Sequence, residues 1–157
     1  MRRVLALLAF LALVPAAGAG PSPGAADPLA VFEDVAEAWR SGDPARIAPH
    51  LGRRGLRLSF AGRAPEGRYS ANQALFLLED LLREPGTVRF AFLRYRNLDG
   101  GEGRPSGVAE RIRLGADGAP EREMVFISLV REEGRWMLAE MKGTPGPEPG
   151  PKAPRSS

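Results

Sequence analysis

The stretch Arg68–Pro85, RYSANQALFLLEDLLREP, constrains this chain more than any other. Ser70 stands where a helix N-cap belongs, and Gln73 three residues on completes a capping box, which gives backbone N–H groups at the helix start their partners. Ala74, Leu75, Leu77, Leu78, Leu81 and Leu82 then recur at helical spacing and form a wide apolar face. Glu79 and Arg83 are placed for an i, i+4 pair on the solvent side. Pro85 and Gly86 stop the helix. A face that wide must be buried against another element, and four strand-like segments follow it.

Those segments are Thr87–Arg96, Ser106–Leu114, Arg122–Arg131 and Arg135–Lys142. The second alternates Val108, Glu110, Ile112 and Leu114 against Ala109, Arg111 and Arg113. The third is apolar on both faces (Met124, Phe126, Val130 against Val125, Ile127, Leu129) and is expected mid-sheet, covered on both sides. The tight link Glu132-Glu133-Gly134 predicts a hairpin. Upstream, Asp27-Pro28 reads as an N-cap with proline at the first helical position. Phe32, Val35, Ala36 and Trp39 give that first helix one buried face, and Ser41-Gly42 ends it. Asp43-Pro44 starts a short second helix with Ile47, Ala48 and Leu51 inward, its length limited by Pro49. Leu56, Leu58 and Phe60 alternate with Arg57 and Ser59 as a half-buried strand. Gly62–Gly67 reads as a turn-rich link.

The N-terminus carries a different signal. Met1-Arg2-Arg3 precedes an apolar run from Val4 to Val14 and then Pro15-Ala16-Ala17-Gly18-Ala19. This pattern predicts a secretory signal peptide over residues 1–19, cleaved after Ala19. The apolar run is too short for a permanent membrane span; the competing reading is an anchor that stays attached. Residues 20–26 form a Gly/Pro/Ala linker. One domain is expected over 27–142, followed by a Pro/Gly-rich disordered tail over 143–157. There is no cysteine, so an exported chain of this kind holds together by its core alone and is expected in the periplasm or outside a bacterial cell. The formal charge is +3, and without Arg2 and Arg3 the count is 20 basic against 19 acidic residues. A nucleic-acid partner needs a concentrated basic surface, and none is expected.

Two helices, a strand, a longer helix and an antiparallel meander make an order that resembles the nuclear-transport-factor-two-like superfamily across Asp27–Lys142. Within it, GRYSANQALFLLEDLL, the strand with Phe90 and Phe92, and the Trp136–Leu138 hairpin strand resemble small exported bacterial domains of unknown function. The resemblance implies an α+β fold, with three N-terminal helices packed on a strongly bent, mostly antiparallel sheet. That is a cystatin- or ketosteroid-isomerase-like cone with a cavity between helix and sheet. The superfamily holds isomerases, cyclase-like enzymes and non-catalytic dimers, so the fold does not choose among them.

An isomerase-type site needs a carboxylate base on an apolar wall and a donor for the enolate oxygen. The segment Pro44–Pro65 has no Asp or Glu, and His50 is the lone imidazole able to replace one. Glu110 is the acid candidate if its strand face lines the cone, and an ordinary charge if that face is open to solvent. Tyr95 is the donor candidate. His50 also reads as a surface residue beside Pro49, and Tyr95 as a packed ring with its hydroxyl at the rim. One histidine and no cysteine give no metal-ligand spacing, and no phosphate-cradling glycine loop is present; no metal and no cofactor are expected.

Trp39, Phe90, Tyr95 and Phe76 are the binding candidates. Phe76 lies opposite the leucine face of the third helix, where an aromatic meets either a loop or another chain. With the two-sided strand, it points to a homodimer. Arg53, Arg54, Arg57, Arg63 and Arg68 bracket the first strand with Glu66 as the lone acid among them. They suit either an anionic envelope surface or a charge-guarded strand edge. The leading expectation is an exported, non-enzymatic domain that binds a small apolar ligand or a protein through its cone or sheet. The alternative is a small isomerase- or cyclase-type enzyme using Glu110 or His50 with Tyr95.

Overall fold

A computed structural model describes residues 27–147 except 85 and 100. The expected signal peptide, the expected 20–26 linker, Pro85 and residues 148–157 of the expected tail lie outside the described residues. The architecture is α+β: α1 (Pro28–Ser41), two single 3-10 turns (Pro44–Arg46 and Ala48–His50), β1 (Leu56–Phe60), β2 (Ala64–Tyr69), α2 (Ala71–Arg83), β3 (Thr87–Arg96), β4 (Ser106–Leu114), β5 (Pro120–Glu132) and β6 (Arg135–Pro145).

The caps form as their side chains dictate. Asp27 Oδ1 accepts from Leu29 N at 2.8 Å, and Gly42 closes α1 in the left-handed region at φ 70°, its N–H returning to the Ala38 carbonyl. Both halves of the Ser70–Gln73 capping box are made. Asp43 caps the second start in the same way as Asp27, but Pro49 has no N–H to return to the preceding turn, and two 3-10 turns stand in place of an α-helix. Ile47 is still fully buried.

The six strands form one mixed sheet in the order β2-β1-β6-β5-β4-β3. All pairings are antiparallel except β1 with β6, which is parallel. The β5–β6 hairpin turns on Glu133 and Gly134, both at positive φ (50° and 81°), as a two-residue turn with matching twist requires. β2 occupies the expected Gly62–Gly67 link. Its Pro65 and Gly67 are turn residues by sequence, but an edge strand has no outer partner to miss the proline N–H.

One sheet face carries Leu58, Phe60, Phe90, Ala109, Val125, Ile127 and Met141, which join Val31, Phe32, Val35 and Trp39 of α1 and Ala74, Leu78, Leu81 and Leu82 of α2 in a single core. β5 lies between β4 and β6, as its apolar sequence predicts, but only this inner face is closed. Its other face is half open: Met124 and Val130 are partly exposed and Phe126 is 36% exposed. β6 runs past Lys142 to Pro145, so three residues assigned to the tail are strand. Gly143 is required there, because a Cβ would collide with the Phe60 ring and the Glu123 carboxylate.

Candidate functional site

Alternation along β4 decides the chemistry. Ala109 and Arg111 are fully buried on the inner face, which turns Val108, Glu110 and Ile112 outward. The Arg111 guanidinium, 0% exposed, lies over the Trp39 ring at 4.4 Å from its centroid. Its Nη2 donates to Thr87 Oγ1 at 2.8 Å and to Glu84 Oε2 at 3.2 Å, and its Nη1 to Glu123 Oε2 at 3.3 Å. Cross-strand register places Arg111 directly opposite Glu123. Arg63, from the β1–β2 turn, bridges Glu84 (2.9 Å) and Glu123. Arg113 reaches Glu84 at 3.8 Å and also pairs with Glu121.

Three guanidinium groups and three carboxylates therefore meet where α2 ends against β3, β4 and β5. Burial pushes the Glu84 carboxyl up, but the Arg63 hydrogen bond and the charges of Arg63, Arg111 and Arg113 outweigh it and hold Glu84 below the usual carboxylate value. Burial lowers Arg111 against the opposing pull of Glu123 and Glu84. No carboxylate in the group stands without a guanidinium, so the arrangement clamps elements together and offers no ready general base. A cavity of about 530 Å³ lies beside it, lined by Arg63, Arg113, Glu121, Arg122, Glu123 and Pro145 among others.

The residues singled out by sequence are dispersed. Glu110 lies on the outer face, bonded to Arg122 Nε at 3.0 Å and within 4.0 Å of Arg89. Tyr95 lies on the inner side, its ring packed on Phe32 and Phe92 with centroids 5.4 and 5.0 Å away. Burial, with the Glu33 carboxylate, pushes its phenol up. The sheet thus separates Glu110 from Tyr95. His50 is not a surface residue: it is 3% exposed, with Nε2 2.8 Å from Asp34 Oδ2 of α1, a hydrogen-bond contact that fixes the 3-10 turn to the helix. Trp39 and Phe90 are both buried and stack on each other at 5.3 Å and 3°. The Trp39 indole N–H has no partner among the described residues. Phe76 is 64% exposed and lies with Tyr69, Asn72, Gln73 and Leu77 around a shallow groove of about 390 Å³. Among the described residues no three His, Asp or Glu side chains are placed to hold a metal ion together, and no helix is long and apolar enough to cross a membrane.

Arg111, Glu84 and Glu123 escape a reading of periodicity because a buried charge looks like a solvent position. The available signal is the small pair Gly107 and Ala109: a Cβ on Gly107 would press into Phe92, so the bulky aromatics lie over this face of β4.

No family model and no curated protein matches the chain. Solved structures do. A DUF4783 family protein from Bacteroides ovatus aligns over 73% of this chain and 94% of its own, with a TM-score of 0.53 and 11% identity. An NTF2-like protein of unknown function from Mesorhizobium loti aligns over 74% and 88%, with a TM-score of 0.51 and 16% identity. A Thiobacillus denitrificans protein described as a calcium/calmodulin-dependent protein kinase type II association domain aligns over 80% and 100%, with a TM-score of 0.60 and 11% identity. At these identities the likeness establishes the fold, which is nuclear-transport-factor-two-like, as the order of elements in the sequence implies.

Proposed function

We propose that this is an exported, non-catalytic binding domain whose working surface is the open face of its sheet, and that a second copy of the chain is its first partner. One observation carries the reading. Phe126, 36% exposed, faces Val108 across β4–β5, with Met124 and Ile112 beside them on the same side. None of the four belongs to the core that the helices cover. Charges of both signs stand among and beside these side chains: Glu110 opposite Met124 and Arg122 opposite Ile112, with Lys142 opposite Phe126 and Glu140 opposite Ser128 on the neighbouring strand. A two-fold copy can set opposite signs against each other while it covers the apolar centre. The sheet is taken to bend around the helices as the superfamily's cone does.

A small apolar ligand inside the fold is less well supported, since Trp39, Phe60, Phe90 and Leu78 fill the interior. An isomerase reading has Glu110 bonded to Arg122 and turned away from Tyr95.

Sedimentation velocity across a concentration series tests the assembly. The wild type should sediment as a dimer and Phe126→Glu as a folded monomer. A wild type that stays monomeric at the highest soluble concentration removes the assembly reading. Export is tested separately: the mass of the protein recovered from bacterial periplasm or medium should begin at Gly20.

A further inference from the structure

We propose that Arg54, Arg68 and Arg104 form a binding site for a doubly charged phosphate monoester, carried by a soluble molecule or by a lipid headgroup. The three side chains come from the turn before β1, from β2 and from the β3–β4 loop. They line a cavity of about 370 Å³ whose other walls are Gly55, Val130 and Ala139. No carboxylate lines it.

The charge balance separates this cavity from the rest of the surface. Of the five arginines that bracket β1, Arg53 pairs with Glu133 at 3.1 Å, Arg57 with Glu66 at 2.6 Å, and Arg63 with Glu84 and Glu123. Among the described residues, Arg68 and Arg104 have no carboxylate within 4.0 Å, and Arg54 has only Glu132, 3.9 Å from its Nε. The Glu132 carboxylate is already engaged, accepting the backbone N–H groups of Arg53 and Arg54 at 3.0 and 3.3 Å. The cavity thus carries close to two uncompensated positive charges, and a phosphate monoester carries about −1.5 to −2 at neutral pH. Guanidinium forks suit its oxygens, and Val130 and Ala139 offer apolar contact to the body that bears it.

The walls are also held in place. Arg68 Nη1 donates to the Arg54 carbonyl at 3.1 Å. Gly55 sits at φ 71°, where any side chain would meet the Tyr69 carbonyl, and this close approach brings the Arg54 turn onto β2. The Arg104 carbonyl accepts from Asn97 Nδ2 at 3.3 Å, and the next carbonyl, of Pro105, from Leu129 N at 2.8 Å.

Titration calorimetry on the full chain with phenyl phosphate and with benzoate tests the site, since the two share a ring and differ in charge. Phenyl phosphate should saturate one site per chain and bind at least about tenfold tighter than benzoate. Arg68→Gln and Arg104→Gln should each weaken it on the order of ten- to a hundredfold with unchanged melting temperature. Arg53→Gln, outside the cavity, should leave it unchanged. A second arm measures flotation with phosphatidylcholine vesicles with and without phosphatidic acid. Binding in that arm alone, lost in Arg68→Gln and Arg104→Gln, assigns the site to a headgroup; binding of phenyl phosphate assigns it to a soluble molecule. Equal loss in Arg53→Gln, benzoate as tight as phenyl phosphate, or no binding in either arm overturns the proposal. The readout does not depend on oligomeric state.

Discussion

Two groups of three arginines sit in this fold and obey opposite rules. Arg63, Arg111 and Arg113 are matched by Glu84, Glu121 and Glu123, with Arg111 fully buried. Arg54, Arg68 and Arg104 surround an open cavity with one carboxylate at its margin. In the first group the charges answer one another, and loss of one leaves others stranded in a low-dielectric interior. In the second the charges answer water, and loss of one costs the fold almost nothing. Guanidinium count therefore says little about role; the supply of counter-charge says most of it.

Removing the buried member is the severest challenge to that contrast. Arg111→Leu leaves the buried Glu123 carboxylate with Arg63 alone and takes one of three partners from Glu84, and we expect a loss of about 3–5 kcal/mol in urea unfolding. A loss within experimental error would mean that the clamp contributes nothing and that the two groups are alike. Next in size is Gly143→Val, which drives a side chain into the Phe60 ring and the Glu123 carboxylate that Arg63 and Arg111 share; about 1–3 kcal/mol of destabilisation is expected from the same measurement.

Acid probes the same group more gently. The folded Glu84 carboxyl is held below its unfolded value, so its contribution is complete above the ordinary glutamate pKa of about 4.3 and fades as pH falls through the lower folded value. Melting temperatures of wild type and Glu84→Gln should differ at pH 7, and the gap should start to close only as pH falls below about 4.3. The gap should be smaller than for Arg111, because Glu84 is 27% exposed and solvent screens it. Smallest of all, Arg68→Gln should shift stability by no more than about 0.5 kcal/mol. A larger loss would place the open group among the structural ones.

Legibility from sequence divides along similar lines. The capping box at Ser70, the Asp27-Pro28 start, the hairpin at Glu133-Gly134 and the mid-sheet position of β5 were all readable, because each depends on a few neighbouring residues or on simple periodicity. β2 was not, since Pro65 and Gly67 are turn residues until an edge position excuses them. The strand status of Gly143–Pro145 was hidden for a related reason: its only requirement, space beneath Phe60, is imposed from far away in the chain. The candidate site was the least visible part. Val108, Glu110 and Ile112 look like the inner set of β4, yet the aromatics of α1 and β3 need the small surfaces of Gly107 and Ala109, and so the other set turns inward with its arginine. Of the basic stretch the sequence displayed five members, but that Arg68 is the one with no carboxylate within 4.0 Å among the described residues was settled by acids as distant as Glu132 and Glu123.

The parallel pairing of β1 with β6 has a consequence for synthesis. β6 is the rung between two otherwise separate pieces, β2-β1 on one side and β5-β4-β3 on the other, and it is the last rung of this sheet to leave the ribosome. Until it arrives, a nascent chain carries two unfinished edges and no sheet-wide cooperativity. A chain still being translated is thus kept from its final shape until its final strand is made.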